Sequence, residues 1–409
     1  MIAWLDTWPF RAKPAAKGFA PGDPRRPMIY RDILIHPPRE SYLYESLFDG
    51  GPDWPDWDAP SLARHFRRDQ PIDRRPTLST AKPERLAGAA IWGGNLNPHF
   101  GHLVAEYAPR IGFAAAALPK APVLFQTFPG WTLDDIPAHV WPVLAHYGLD
   151  RARVRLVDRP FLAENLHVWP QAEHLNQTVR PHPAWLARLA RLAKLAALQP
   201  LQADLLYVTR QGMLAAGSGG FAGESYLVTV LQDAGVTLLN PATASLRDQL
   251  SAYLGARHIV FAEGSALHGR QMLGRLDQGI TVLNRTPKAR LARPVLCPRV
   301  QKLDYIEATS QRIEMMRPGG IVLSQKAVSL LDVGAVLACF AALGVNLGTI
   351  WNHQAFAQVE RADLQLWLAR IRPDGMDPAG RPLDLAATRA RITPLLQQAG
   401  HGDLLEALA

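Results

Sequence analysis

The stretch His258-Ile259-Val260-Phe261-Ala262-Glu263-Gly264-Ser265-Ala266-Leu267-His268-Gly269 decides the fold. Residues 258–262 read as a buried strand, Gly264, Ser265 and Ala266 as a tight turn, and 265–276 as a helix with Ser265 as N-cap. The alternation continues on both sides. Upstream lie a strand at 204–209, a helix at 223–235, a strand at 236–240 and a helix at 245–255 opened by Ser245. Downstream lies a strand at 279–284. An earlier series repeats the pattern: strand 86–92, helix 99–118 divided by Pro109, strand 122–128, helix 133–147 interrupted by Pro137 and Pro142, strand 154–157 and an amphipathic helix at 185–198. Strands alternating with helices predict two α/β units with parallel sheets.

Pro200 lies in the short connection between the units and sets the boundary. The expected organisation is an irregular, Trp- and Pro-rich arm or cap over 1–85, α/β units at 86–200 and 201–320, and a helical segment at 321–409 with helices at 328–343, 354–371 and 385–408.

A length of 409 residues suits two or three domains, and 48% hydrophobic with 20% charged residues excludes a disordered, collagen-like or coiled-coil chain. The net charge is +8, and only eight of the 44 basic residues are Lys. No recognition helix, zinc knuckle or aromatic-basic strand accompanies that charge, so no nucleic-acid partner is expected. It would suit peripheral contact with an anionic membrane surface. Cys297 and Cys339 sit in apolar surroundings and are expected to be buried, unreactive thiols. The uncharged run 333–350, with Asp332 as N-cap and Gly344 at its end, reads as a core helix rather than a membrane span. The opening MIAWLDTWPFRAKPAAKG lacks a signal-peptide pattern, and a cytoplasmic, reducing setting is expected. Asp56-Trp57-Asp58 follows no apolar strand and reads as a surface loop rather than a metal site.

Three constellations carry candidate chemistry, each at the carboxyl end of a strand, where parallel α/β sheets bind ligands. In the first, Asn95 and Asn97 precede a helix carrying His102, Glu106 and Arg110 at four-residue spacing, which would put a base, an orienting carboxylate and an anion clamp on one face. In the second, Arg210 closes a strand before the glycine-rich loop 215–223, and Glu224 opens the next helix as a candidate acceptor for a sugar or ribose hydroxyl. In the third, Glu263, Gly264, Ser265, Ala266 and His268 occupy a strand-to-helix turn suited to an anion. No Walker A sequence and no GxGxxG after the first strand are present.

The series GHLVAEYAPR, DLLYVTRQG, GESYLVTVLQDAGV and SLRDQLSAYLGARHIVFAEGSALH, spread over about 88–285, resembles glycosyltransferase family 61, including bacterial capsular-polysaccharide-type members. The resemblance implies a GT-B-like fold, two Rossmann-like domains facing a cleft. It also implies inverting transfer of a sugar from a nucleotide sugar, UDP-linked, to a glycan hydroxyl in bacterial surface polysaccharide synthesis, with no cofactor and no metal required. Carried over by position, His102, Glu106, Arg110, Arg210, Glu224 and His268 match family residues. The basic residue expected between Arg210 and Glu224 is absent, with Gly217, Ser218, Gly219 and Gly220 in its place, and Glu263 stands where the family often has His. Base candidates are Glu106, His102 and Glu263, and donor-site candidates are Asn95, Asn97, Arg110, Arg210, Glu224, Gly264, Ser265, Ala266 and His268. The missing basic residue leaves a second reading open, a non-catalytic nucleotide-sugar- or glycan-binding protein.

Overall fold

The computed structural model describes residues 22–39, 41–42, 47–58, 61–378 and 380–408. Much of the expected N-terminal arm, including 1–21, therefore lies outside the described residues. The chain is a mixed α/β protein built on two principal sheets.

The first sheet has six strands, in the order Gly51–Pro52, Met28–His36, Phe161–Val168, Glu84–Asn95, Val123–Gln126 and Val154–Leu156. Its last four are mutually parallel, while Met28–His36 runs antiparallel to Phe161–Val168. The 28–36 segment thus belongs to the sheet, although the sequence reads as irregular there. Asp32, at φ +47°, interrupts its alternation and masks the strand. The second sheet is wholly parallel, in the order Thr237–Leu239, Ala203–Val208, Ala256–Ala262, Gly279–Asn284 and Lys302–Glu307. A third, smaller sheet joins Gly220–Ala222, Val328–Leu331 and Thr309–Ile313. Residues 328–331 are therefore a buried strand and not the start of a helix. The helix there is Val333–Ala342, capped by Asp332 through Ala335 N at 2.9 Å and ended by Gly344 at φ +86°. Cys339 is buried as expected, but Cys297 is exposed. Among the described residues no helix is long and apolar enough to cross a membrane.

The two sheets share one core. A continuous buried cluster runs from Ile91, Val123 and Phe125 of the first, through Tyr147, Trp185 and Tyr253, to Ile259, Phe261, Ile280 and Val282 of the second. Polar ties reinforce the seam. Glu173 pairs with Arg299 at 2.6 Å, His146 meets Met272 O at 3.0 Å, and Arg247 donates to the carbonyls of Ala196 and Ala197.

Candidate active site

Pro109 does more than kink the predicted helix 99–118. The segment breaks into a single helical turn Phe100–His102, a π-helical turn Leu103–Tyr107, a 3-10 turn Ala108–Arg110 and the helix Ile111–Ala117. His102 and Glu106 still meet, His102 Nδ1 lying 3.0 Å from Glu106 Oε2. The regular four-residue repeat does not reach Arg110. Its guanidinium turns inward and donates to the carbonyls of Ala63, Arg64 and Trp169. Arg110 is a buried strut, pushed down to about 10 by burial, and not the expected anion clamp.

Glu106 is fully enclosed, and both of its oxygens are taken. Arg67 donates to Oε1 at 2.8 Å and to Oε2 at 3.0 Å, and His65 Nε2 lies 2.9 Å from Oε1. Burial by itself would raise the Glu106 carboxyl, but the charge of Arg67 and the hydrogen bonds from His102 and His65 hold it well below the usual carboxylate range. An ionised carboxylate only accepts. The protons of these two contacts therefore sit on His65 Nε2 and His102 Nδ1.

His65 and Arg67 were not found by sequence reasoning. They come from a small hairpin, Phe66–Arg67 with Gln70–Pro71, whose turn residues Arg68 and Asp69 both have positive φ. The hairpin is pinned from behind. Asp69 Oδ1 lies 2.8 Å from His174 Nε2 and Asp69 Oδ2 accepts from Thr178 N at 3.0 Å, while Gln171 bridges Phe66 N and Glu106 O. His65 also stacks on Tyr107, ring centroids 4.7 Å apart. Asn95 and Asn97 shape the preceding loop: Asn95 Oδ1 accepts from Gln126 Nε2, and Asn97 Oδ1 accepts from His99 N at 2.8 Å.

The turn of the second sheet comes up against this segment. A β-carbon at Gly101 would sit 3.1 Å from His268 Cδ2 and 3.3 Å from Ser265 Cβ, so glycine allows the two halves to close at this point. His268 is buried, and burial pushes it down to about 4, against a side-chain contact with Gln271 that raises it. It is thus a neutral residue packed against Gly101, next to His102 in the chain. Ser265 and Ala266 are half-buried at the same place, but Ser265 makes no side-chain cap and the helix Ala266–Gln271 has only six residues, shorter than 265–276.

Arg210 leans over Gly264, where any side chain would run into its guanidinium, and donates through Nη2 to Gly219 O at 2.8 Å. Glu224 is anchored through one of its two oxygens. Its Oε1 accepts from Tyr207 Oη at 2.9 Å, Thr209 Oγ1 at 2.8 Å and Arg210 N at 2.7 Å, which ties the strand end to the helix Glu224–Asp233. Burial raises its carboxyl above the ordinary value. Glu263 is similarly engaged, Oε2 accepting from Arg285 N at 2.8 Å and Thr286 N at 2.6 Å. That makes it an anchor for the next strand end. The glycine-rich loop is braced by the C-terminal helix His353–Leu368 and the turn after it. Asp363 accepts from Gly223 N at 2.8 Å, Phe356 fills the space where a Gly223 side chain would lie, and Arg370 donates to Ala215 O at 2.8 Å. Among the described residues no group of three His, Cys, Asp or Glu side chains is arranged to hold a metal ion.

Residues 100–273 match the family model Glycosyltransferase 61. Over that segment, which is less than half of the chain, the protein is similar to that family. The match covers His102, Glu106, Arg110, Arg210, Glu224 and the turn Glu263–His268, and leaves outside it His65 and Arg67, which complete the Glu106 environment, and Arg285. The comparison with curated proteins finds no match.

Proposed function

We propose that the protein is an inverting glycosyltransferase that moves a sugar from a UDP-linked donor to a glycan hydroxyl in bacterial surface polysaccharide synthesis. The observation that carries the mechanism is the saturated Glu106 carboxylate with two imidazoles on it, the buried His65 and the half-buried His102, of which His102 lies at the seam between the sheets. On this reading His102 Nε2 takes the acceptor hydroxyl proton. The acceptor oxygen then forms its bond to the anomeric carbon from the face opposite the diphosphate, and the bond between that carbon and the diphosphate breaks with its electron pair leaving on the diphosphate. Glu106 stays ionised, fixes the tautomer of His102 and stabilises the imidazolium. Arg210, over Gly264, meets the negative charge that the diphosphate gains. The two sheets would be the GT-B-like halves, the first on the acceptor side and the second on the donor side. No metal has a role in these steps.

The test begins with a thermal-shift screen of nucleotide sugars, since a ligand that binds only the folded form raises the melting temperature. Transfer and donor hydrolysis are then measured for His102→Ala with and without added imidazole. Turnover is expected to fall about 10²–10⁴-fold and to recover in part with imidazole. Near-parental turnover would remove His102 as the base. Donor binding by the parent protein with no turnover on any acceptor would favour a nucleotide-sugar-binding protein instead.

A further inference from the structure

Guanidinium groups sealed inside a protein normally have their donors matched. Arg110 gives its donors to three carbonyls. Arg270 donates to Gln278 Oε1 and to the carbonyls of Gly274, Leu273 and Arg299. Arg299 pairs with Glu173 and donates to three carbonyls. Arg285 departs from this pattern. It is 6% exposed, and among the described residues its Nε has no hydrogen-bond partner and its guanidinium makes only a 3.3 Å bond from Nη1 to Ala327 O.

Its position gives the spare donors a meaning. Arg285 follows the strand Gly279–Asn284 at the carboxyl edge of the second sheet, the same edge from which Arg210 projects. A β-carbon at Gly219 would lie 2.5 Å from Arg285 Nη1, while Gly219 O accepts from Arg210. The two arginines therefore bracket one glycine of the loop. The backbone of Arg285 is fixed by the Glu263 carboxylate, the residue before Gly264, over which Arg210 lies. Burial and the like charge of Arg210 push Arg285 down to about 9. Two cations held side by side, one with idle donors, are relieved by an oligovalent anion.

We infer that Arg285 and Arg210 together form the subsite for the diphosphate of the nucleotide-sugar donor. This rests on the glycosyltransferase reading above.

The test is calorimetric binding of nucleoside diphosphates (uridine, guanosine, adenosine and cytidine) and of the matching monophosphates to the full chain, its Arg285→Gln variant and its Arg285→Lys variant. Melting temperature and circular dichroism would confirm the fold of each. The second phosphate should give the diphosphate a clear affinity advantage in the parent protein. That advantage is expected to shrink at least tenfold in Arg285→Gln and by a smaller factor in Arg285→Lys, which keeps the charge and loses the fork. If Arg285→Gln does not fold, Arg285→Lys carries the comparison. A merely structural role would weaken both ligands alike, so an unchanged ratio in a folded variant overturns the inference and leaves the glycosyltransferase reading standing. A parent protein that binds none of the four diphosphates removes that reading and this inference with it.

Discussion

Replacing Glu106 by Gln keeps the side chain's shape and removes its charge, and the surroundings of that carboxylate determine the cost. Glu106 accepts two hydrogen bonds from Arg67, at 2.8 and 3.0 Å, and one each from His65 and His102. An amide offers one accepting oxygen and one donating nitrogen. If the oxygen faces Arg67 Nε and His65, the NH2 group points at Arg67 Nη2 and His102 Nδ1, which are donors themselves. The cheapest adjustment is for His102 to move its proton to Nε2 and accept through Nδ1. That leaves the lone pair on the wrong nitrogen for the acceptor hydroxyl. A wrong tautomer at a catalytic imidazole costs about 10⁴ in kcat, so a loss of about 10³–10⁴ is expected, with donor KM little changed. Arg67 also loses its countercharge in a site with almost no solvent, a change worth about 3 kcal/mol or more for a buried pair. The melting temperature should therefore fall as well. The assay is turnover on the donor found by thermal shift, for Glu106→Gln, His102→Ala and the double variant. Because the two residues act as one unit, the double variant should be no slower than His102→Ala. A Glu106→Gln enzyme within tenfold of the parent, or additive losses in the double variant, would refute the argument.

Acid should destabilise the fold before Glu106 titrates. Burial depresses His268 from 6.5 to about 4, and also depresses His65. The unfolded chain binds these protons first, so stability is intact above about pH 6.5 and is lost as the pH falls towards 4. The His268 share is about 3 kcal/mol, and urea unfolding of the parent and His268→Gln between pH 7.5 and 5 should show a flatter slope in the variant. Identical slopes would contradict this. Asp363→Asn weakens the hold on Gly223 N and loosens the loop that places Arg210. It is expected to raise donor KM about tenfold, the equivalent of one charge-assisted hydrogen bond, while kcat stays near parental. An unchanged KM would disconnect the C-terminal helix from donor binding.

The parallel second sheet was readable because its strands are short apolar runs closed by small residues, and Gly279–Asn284 falls where the pattern puts it. Met28–His36 was hidden because Arg31 and Asp32 interrupt its alternation, so its place is set by pairing with Phe161–Val168 rather than by local preference. In the site, the pair His102 and Glu106 was legible from spacing, which a π turn still preserves. Arg110 was misread because the same spacing assumes a regular helix, and Pro109 rotates the next turn inward. His65 and Arg67 carry no local signal at all. They lie about forty residues from Glu106 in the chain and reach it only through a hairpin anchored by Asp69. Arg285 carries no local signal either, because Gly219, which it meets, lies more than sixty residues earlier in the chain.

The core shared by the two sheets bears on how such an enzyme can be re-engineered. On the proposed reading, swapping the donor-side half between relatives is the natural route to a new sugar specificity, and it treats each half as an exchangeable cassette. Here the cut would pass through a hydrophobic interior to which Tyr147, Trp185, Tyr253 and Phe261 all contribute, and through the buried Glu173–Arg299 pair. A chimera joined at Pro200 would have to carry both faces of that interior from one parent. Altering specificity is better attempted in the loop 211–223 and its brace at 353–370, which can be transplanted together without opening the seam.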